Sequence, residues 1–235
     1  MKALIATVYD KAYEAYEPLF RYCCQKAYPE YECHTWNRDH WGEVFKPGPY
    51  TTAALRFLLN EVGEIDYDAY LITDIDILIR REQPDFIAQH LNHMKWNSLE
   101  CYDNCDHGDH MPGVHFVTKE WWPRTKAARE KYLAVLWERP ANLAEDEVIL
   151  RKVVVESGLR TSTNAILWAV HGLHLGRFRN QNIQAIRFQP NEFEFLDSLM
   201  ADDKFMELAE KSKEDPGFNH VWGNVMAVYN RRKPR

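Results

Sequence analysis

No run of eighteen apolar residues occurs in the 235-residue chain, so the sequence predicts no membrane-spanning helix. Positive charge is not in excess either. The 29 Lys and Arg against 35 Asp and Glu leave a net charge of −6, which argues against a nucleic-acid grip spread over the surface. Cysteine is scarce and odd in number, with five residues of which Cys23 and Cys24 are adjacent, and no N-x-S/T sequon is present. Both facts fit a reducing compartment, and a cytoplasmic protein is the expectation. The opening MKALIATVYDKAYEAYEPL turns acidic and tyrosine-rich after seven residues, unlike a signal peptide. Also missing are G-x-G-x-x-G, G-x-x-x-x-G-K-[ST], H-E-x-x-H, G-x-S-x-G and C-x-x-C. Their absence removes the dehydrogenase, P-loop, zincin and serine-hydrolase readings that rest on short motifs. Repeats, low-complexity tracts and linkers are absent too.

What is present is a globular composition, 46% hydrophobic and 27% charged. A chain of this mass can bury roughly 73% of its unfolded surface, enough for one good core. Residues 3–8 form a continuous apolar run suited to a strand buried on both faces. Helical spacing follows over 11–28 and Pro29 ends it, with a short strand at 32–36. Thr51 or Thr52 caps a predicted helix that ends at Gly63. A buried strand at 67–73 runs into Asp74-Ile75-Asp76. Helices are expected at 84–93, 120–137, 145–157 and 202–213, and strands at 113–118 and 165–170. Strands alternating with helices imply an α/β fold with a mostly parallel central sheet flanked by helices. One domain over 1–235 is expected, with the core at about 1–180 and a helical extension at about 181–235.

Asp74 and Asp76 stand at the carboxyl end of the strand at 67–73, where open α/β sheets bind ligands. In extended chain the two carboxylates point the same way, about 7 Å apart, and Ile75 points into the opposite layer. Acids within the apolar run Tyr70-Leu-Ile-Thr-Asp-Ile-Asp-Ile-Leu-Ile79 are costly to bury without a partner. A divalent cation carrying phosphate oxygens, Mn²⁺ or Mg²⁺, is such a partner; ordinary turn acids are the plain alternative.

The order of strand, D-x-D, later strand, acid-opened helix and histidine turn resembles the GT-A glycosyltransferases. The nearest likeness is to the family 8 type that includes glycogenin and lipopolysaccharide galactosyltransferases. The likeness covers roughly residues 2–180. It implies a GT-A-like sandwich and a donor that is a nucleotide-diphosphate sugar, UDP-linked by expectation. The acceptor it implies is a glycan, lipid or protein. On this resemblance Thr7, Val8 and Tyr9 seat the nucleoside, Arg56 reaches the donor, and Asp74 with Ile75 and Asp76 forms the metal-diphosphate strand end. Gly113 lies on a strand that contacts the donor sugar, and Asp146 and Glu147 orient the transferred sugar. If the reaction inverts, Asp146 or Glu147 is the candidate base; if it retains, no dedicated base is needed. His171 or His174 is the third metal ligand, and an imidazole beside two carboxylates suits Mn²⁺.

Ten histidines include the pairs His90/His93, His107/His110 and His171/His174. His90 and His93 read as a solvated helix face. Cys101, Cys105, His107 and His110 offer a zinc-clip alternative. Cys23 and Cys24 read as core residues. Trp36, Trp41, Trp121 and Trp122 are candidates for an acceptor groove. The basic end, Arg231-Arg-Lys-Pro-Arg235, suggests at most a weak membrane-surface contact. Two further functions stay open on sequence alone: a sugar-phosphate nucleotidyltransferase using the same edge and metal, and a non-catalytic zinc-binding module.

Overall fold

The computed structural model describes residues 2–39, 49–63, 66–81, 85–98, 101–102, 114–138, 145–162, 172–179 and 182–231. Two compact units are present. The first comprises Met1–Lys11, Glu30–Asp74 and Glu82–Ala169; the second comprises Ala12–Pro29, Ile75–Arg81 and Val170–Arg235.

In the first unit, β1 (Ala3–Tyr9), β2 (Glu32–Asn37), β3 (Ala69–Thr73), β5 (Cys101–Tyr102), β6 (Val114–Thr118) and β7 (Thr161–Ser162) form one sheet. Its order is β2-β1-β3-β6-β5-β7. The β1–β2, β1–β3 and β5–β7 pairs are parallel, while β6 runs antiparallel to β3 and β5. The expected mostly parallel sheet flanked by helices is therefore present. β1 and β3 are buried along their whole length, which is why both read as unbroken apolar runs.

One face of this sheet is covered by α2 (Pro49–Leu58), α5 (Trp121–Glu138) and α6 (Glu145–Glu156). Leu4, Ala6, Val8, Tyr70, Ile72 and Val117 meet Leu55, Leu58, Trp121, Trp122, Leu150 and Val153 in that layer. Trp121 and Trp122 are thus core residues and not part of an acceptor groove. Two shorter helices complete the unit, α3 (Asn60–Gly63) and α4 (Phe86–Asn97). α2 begins at Pro49, earlier than the threonines predicted to cap it. Proline is well placed in a first helical turn, and the Thr52 hydroxyl is committed elsewhere, donating to buried Asp10 at 2.8 Å. α4 starts after Asp85, whose side chain accepts from the Ala88 amide at 3.0 Å. His90 on α4 is fully buried against Phe116, 5.3 Å between rings, which corrects the expected solvated face.

The second unit holds the two-stranded sheet β4 (Ile77–Ile79) and β8 (Gly172–His174), antiparallel. Around it stand α1 (Glu17–Ala27), α7 (Pro190–Met200), α8 (Asp203–Ser212) and α9 (Pro216–Asn230). The expected helix over 11–28 is split, with a 3-10 stretch at Lys11–Tyr16 leading into α1, where Pro18 sits in the first turn. Aromatic rings knit the helices: Tyr16 meets Phe218 edge-on at 5.1 Å, and Phe218 stacks on Trp222 at 6.0 Å. Cys23 and Cys24 are buried on α1, as their spacing predicts. The strand expected at 165–170 lies outside the described residues. Among the described residues no helix is long and apolar enough to cross a membrane.

Arg129, on α5, is 2% exposed and spends its guanidinium on neutral acceptors. It donates to the Leu58 carbonyl (3.0 Å), Asn60 Oδ1 (2.7 Å), the Trp122 carbonyl (2.9 Å) and Thr125 Oγ1 (2.9 Å), and lies 4.9 Å over the Trp122 ring. Burial pulls its pKa down to about 10, so it stays charged at neutral pH. Arg129→Ala leaves buried carbonyls without donors and is expected to cost about 3 kcal/mol. Urea denaturation at pH 7 measures it; a loss below about 1 kcal/mol would contradict this account of the α2–α3–α5 junction.

Candidate functional site

β3 ends at Thr73. Asp74 follows, residues Ile75 and Asp76 turn the chain, and β4 begins at Ile77. The D-x-D is therefore a turn between two strands of different sheets, where an extended run had been expected. Ile75 is buried. In the β4–β8 ladder Ile77 pairs with His174, and the Leu175 amide donates to the Asp76 carbonyl at 2.8 Å. This ladder places the His174 ring beside the Asp76 side chain, Nε2 to Oδ1 at 3.3 Å.

Two glycines make the approach feasible. A Cβ on Gly172 would stand 1.9 Å from the Leu78 carbonyl oxygen, so only glycine lets β8 lie this close to β4. A Cβ on Gly176 would stand 2.7 Å from both Asp76 Oδ2 and His174 Nε2, filling the space that the two polar groups share.

Asp76 is 4% exposed, and its carboxylate has two partners. His174 faces Oδ1, and Arg179 Nη2 donates to Oδ2 at 3.0 Å. Burial alone would raise the Asp76 pKa; His174 and then Arg179 outweigh it and hold the carboxyl below its ordinary value. Arg179 closes the 3-10 turn Leu175–Arg179, lies 4.2 Å over the Tyr13 ring and also donates to the Tyr13 hydroxyl. Burial pushes the Tyr16 phenol up to about 12, so neither it nor the arginine titrates near neutrality.

In the first unit, Arg56 is 5% exposed on α2 and is ion-paired with Asp74; its Nη2 also lies 3.7 Å from Asp146 Oδ2 on α6. Three residues singled out by sequence are thereby brought together. Thr7 and Thr73 stand one step beyond the paired Ala6 and Ile72, and neither buried hydroxyl has a hydrogen-bond partner among the described residues. Val8 faces the hydrophobic layer, and Tyr9 is buried. Glu147 lies on α6. Gly113, His171, Trp41, Cys105, His107 and His110 lie outside the described residues.

Asp74, Asp76 and His174 each offer one ligand atom, all within 4.8 Å of one another. One intervening residue ties Asp74 to Asp76, so chain connectivity brings it to the Asp76–His174 pair. Oxygen and imidazole donors together suit a divalent cation, and Asp76 and His174 stand 3.3 Å apart. The residues fit a divalent cation. Arg179 and the Asp10–Thr52 pair escaped sequence reasoning. The arginines following a glycine-rich histidine turn were the available signal.

No family model matches the chain, and no curated protein matches it. Among solved structures it is similar to the ligand-free glycosyltransferase GlyE of Streptococcus pneumoniae TIGR4, at 13% identity and a TM-score of 0.44, over 68% of this chain and 44% of that one. A second GlyE structure gives 14% identity and a TM-score of 0.44, over 69% and 45%. The galactosyltransferase LgtC, solved with donor and acceptor sugar analogues, gives 16% identity and a TM-score of 0.41, over 65% and 70%. The chain spans less than half the length of GlyE.

Gly176→Ala tests the cradle. The atoms it strikes are side-chain ends that can swing aside, so a Tm change of only about 2 °C is expected. Mn²⁺ affinity, read by titration calorimetry, should fall about tenfold or more. Unchanged affinity would show that Asp76 and His174 do not act together on a cation.

Proposed function

We propose that the protein is a glycosyltransferase that draws on a nucleotide-diphosphate sugar, UDP-linked by preference, with Asp74, Asp76 and His174 holding Mn²⁺ or Mg²⁺. The observation that carries this reading is that those three side chains each offer a ligand atom within 4.8 Å of the others, with Gly176 leaving open the space beside Asp76 and His174. The order of motifs along the chain, with its resemblance to family 8 glycosyltransferases, points that metal site toward glycosyl transfer. When bound, the cation supplies charge neutralisation for the diphosphate leaving group.

The chain's own residues divide the remaining work. Asp76 and His174 present their donors from a rigid ladder, so little ordering is needed at the moment of binding. Arg56, buried and fixed between Asp74 and Asp146, is placed to offer a planar fork of N–H donors to phosphate or sugar oxygens. Asp146 and Glu147 orient the transferred sugar in this reading, and Gly113 is kept as a donor-contact candidate. Thr7 and Thr73 offer the buried strand ends two hydroxyls without a hydrogen-bond partner among the described residues, which supports a polar ligand there. Thr7, Val8 and Tyr9 seat the nucleoside, Val8 through its backbone. His171 is kept as an additional ligand candidate. The acceptor is a glycan, lipid or protein, and the protein acts in the cytoplasm.

Asp76→Asn is the diagnostic substitution, because it keeps the size and the acceptor oxygen for Arg179 while removing the charge that a cation needs. Transfer from UDP-sugars should fall by about 10³ or more while the fold persists by circular dichroism, a loss of roughly 4 kcal/mol in transition-state stabilisation. In wild type, a UDP-sugar at a hundredfold excess over Kd with Mn²⁺ should stabilise by about 2.7 kcal/mol in thermal-shift assays. Wild-type turnover in Asp76→Asn would remove the mechanism. Stabilisation by no nucleotide-sugar of the UDP, GDP, CMP or dTDP series would remove the donor class.

A further inference from the structure

Asp76 already has a guanidinium partner in Arg179, so its charge is balanced before any ligand arrives. We propose that Arg179 is a resident counter-cation of the metal site, so that a divalent cation binds weakly alone and tightly only together with a diphosphate. The inference rests on the metal reading given above.

Leaving the buried carboxylate of Asp76 unpaired would be costly, and Arg179 removes that cost in the ligand-free protein. Its guanidinium lies over the Tyr13 and Tyr16 rings, whose centroids are 4.2 and 5.7 Å away. The turn that carries it is held from behind by α9, where Asn224 Nδ2 donates to the Phe178 carbonyl at 2.8 Å. These contacts hold the charge beside Asp76. A bare dication would sit close to that fixed positive charge, and repulsion at such distances is strong in a partly buried site. A diphosphate reverses the balance, since its oxygens bring the missing negative charge and a guanidinium fork matches phosphate geometry. About a third of the Arg179 side chain is exposed, 36%, so an anion can reach it without unfolding the turn.

The test measures free Mn²⁺ by electron paramagnetic resonance during titration of wild type, Arg179→Met and Arg179→Lys, each with and without UDP. Binding is corrected for the Mn²⁺–UDP complex in solution. Wild type should bind Mn²⁺ about tenfold or more tighter with UDP than without it. Arg179→Met should bind Mn²⁺ alone about tenfold tighter than wild type and lose most of the gain from UDP. Arg179→Lys, which keeps the charge, should stay within about threefold of wild type in both arms. If Arg179→Met does not fold, the wild-type coupling and its retention in Arg179→Lys decide the matter. Equal Mn²⁺ affinity with and without UDP in wild type overturns the counter-cation role while leaving the metal site standing. Weaker Mn²⁺ binding in folded Arg179→Met does the same. Failure of wild type to bind Mn²⁺ in either arm overturns the metal reading and this inference together.

Discussion

A carboxylate held almost out of water at a turn between two strands is the constraint around which the site is organised. Asp76 is 4% exposed, and such a group persists as an anion only where fixed positive charge or strong donors surround it. The chain meets that demand with His174 on one oxygen and Arg179 on the other. Much of the second unit's local architecture reads as support for this arrangement. The β4–β8 ladder sets the position of His174, Gly172 allows the two strands to approach, and Gly176 leaves the shared space empty. Tyr13, Tyr16 and α9 steady the arginine.

Paired charges of this kind are usually weak evidence for stability, because desolvation offsets much of the attraction. Their better-attested use is to hold a geometry. Asp76 divides its two oxygens between different partners, and Arg56 similarly stands between Asp74 and Asp146. In both places an arginine orients a carboxylate in the ligand-free protein. The contrast with Arg129 is instructive. That residue is also buried, yet among the described residues its guanidinium donates to neutral acceptors and lies over a tryptophan face, and so joins helices.

The central strands were legible because burial on both faces leaves an unmistakable signature: Ala3 to Tyr9 and Ala69 to Thr73 are apolar or small throughout. Asp74 and Asp76 stood out for the converse reason, as acids interrupting such a run. Where the chain turns was less legible, since Tyr70 to Ile79 reads as one strand when the antiparallel partner of Ile77–Ile79 is unknown. That partner is nearly a hundred residues away, and no local pattern encodes the pairing. Helices α7 and α9 carry ordinary start signals, Gln189-Pro190 with Glu192 and Asp215-Pro216, that sequence reading passed over. His90 and the tryptophans 121 and 122 were misplaced because polarity at a ring edge says little about burial. Each lies in an aromatic layer that only the tertiary fold creates. Arg179 was invisible for a similar reason: its partners Tyr13 and Asp76 are 166 and 103 residues distant in the chain.

The most direct test of the account is anomalous diffraction at the manganese edge from crystals grown with MnCl₂ and UDP. The account predicts one strong peak between the carboxylates of Asp74 and Asp76 and the Nε2 atom of His174, at about 2.1–2.2 Å from each donor. A map with no peak there, in crystals that hold bound UDP, would contradict it.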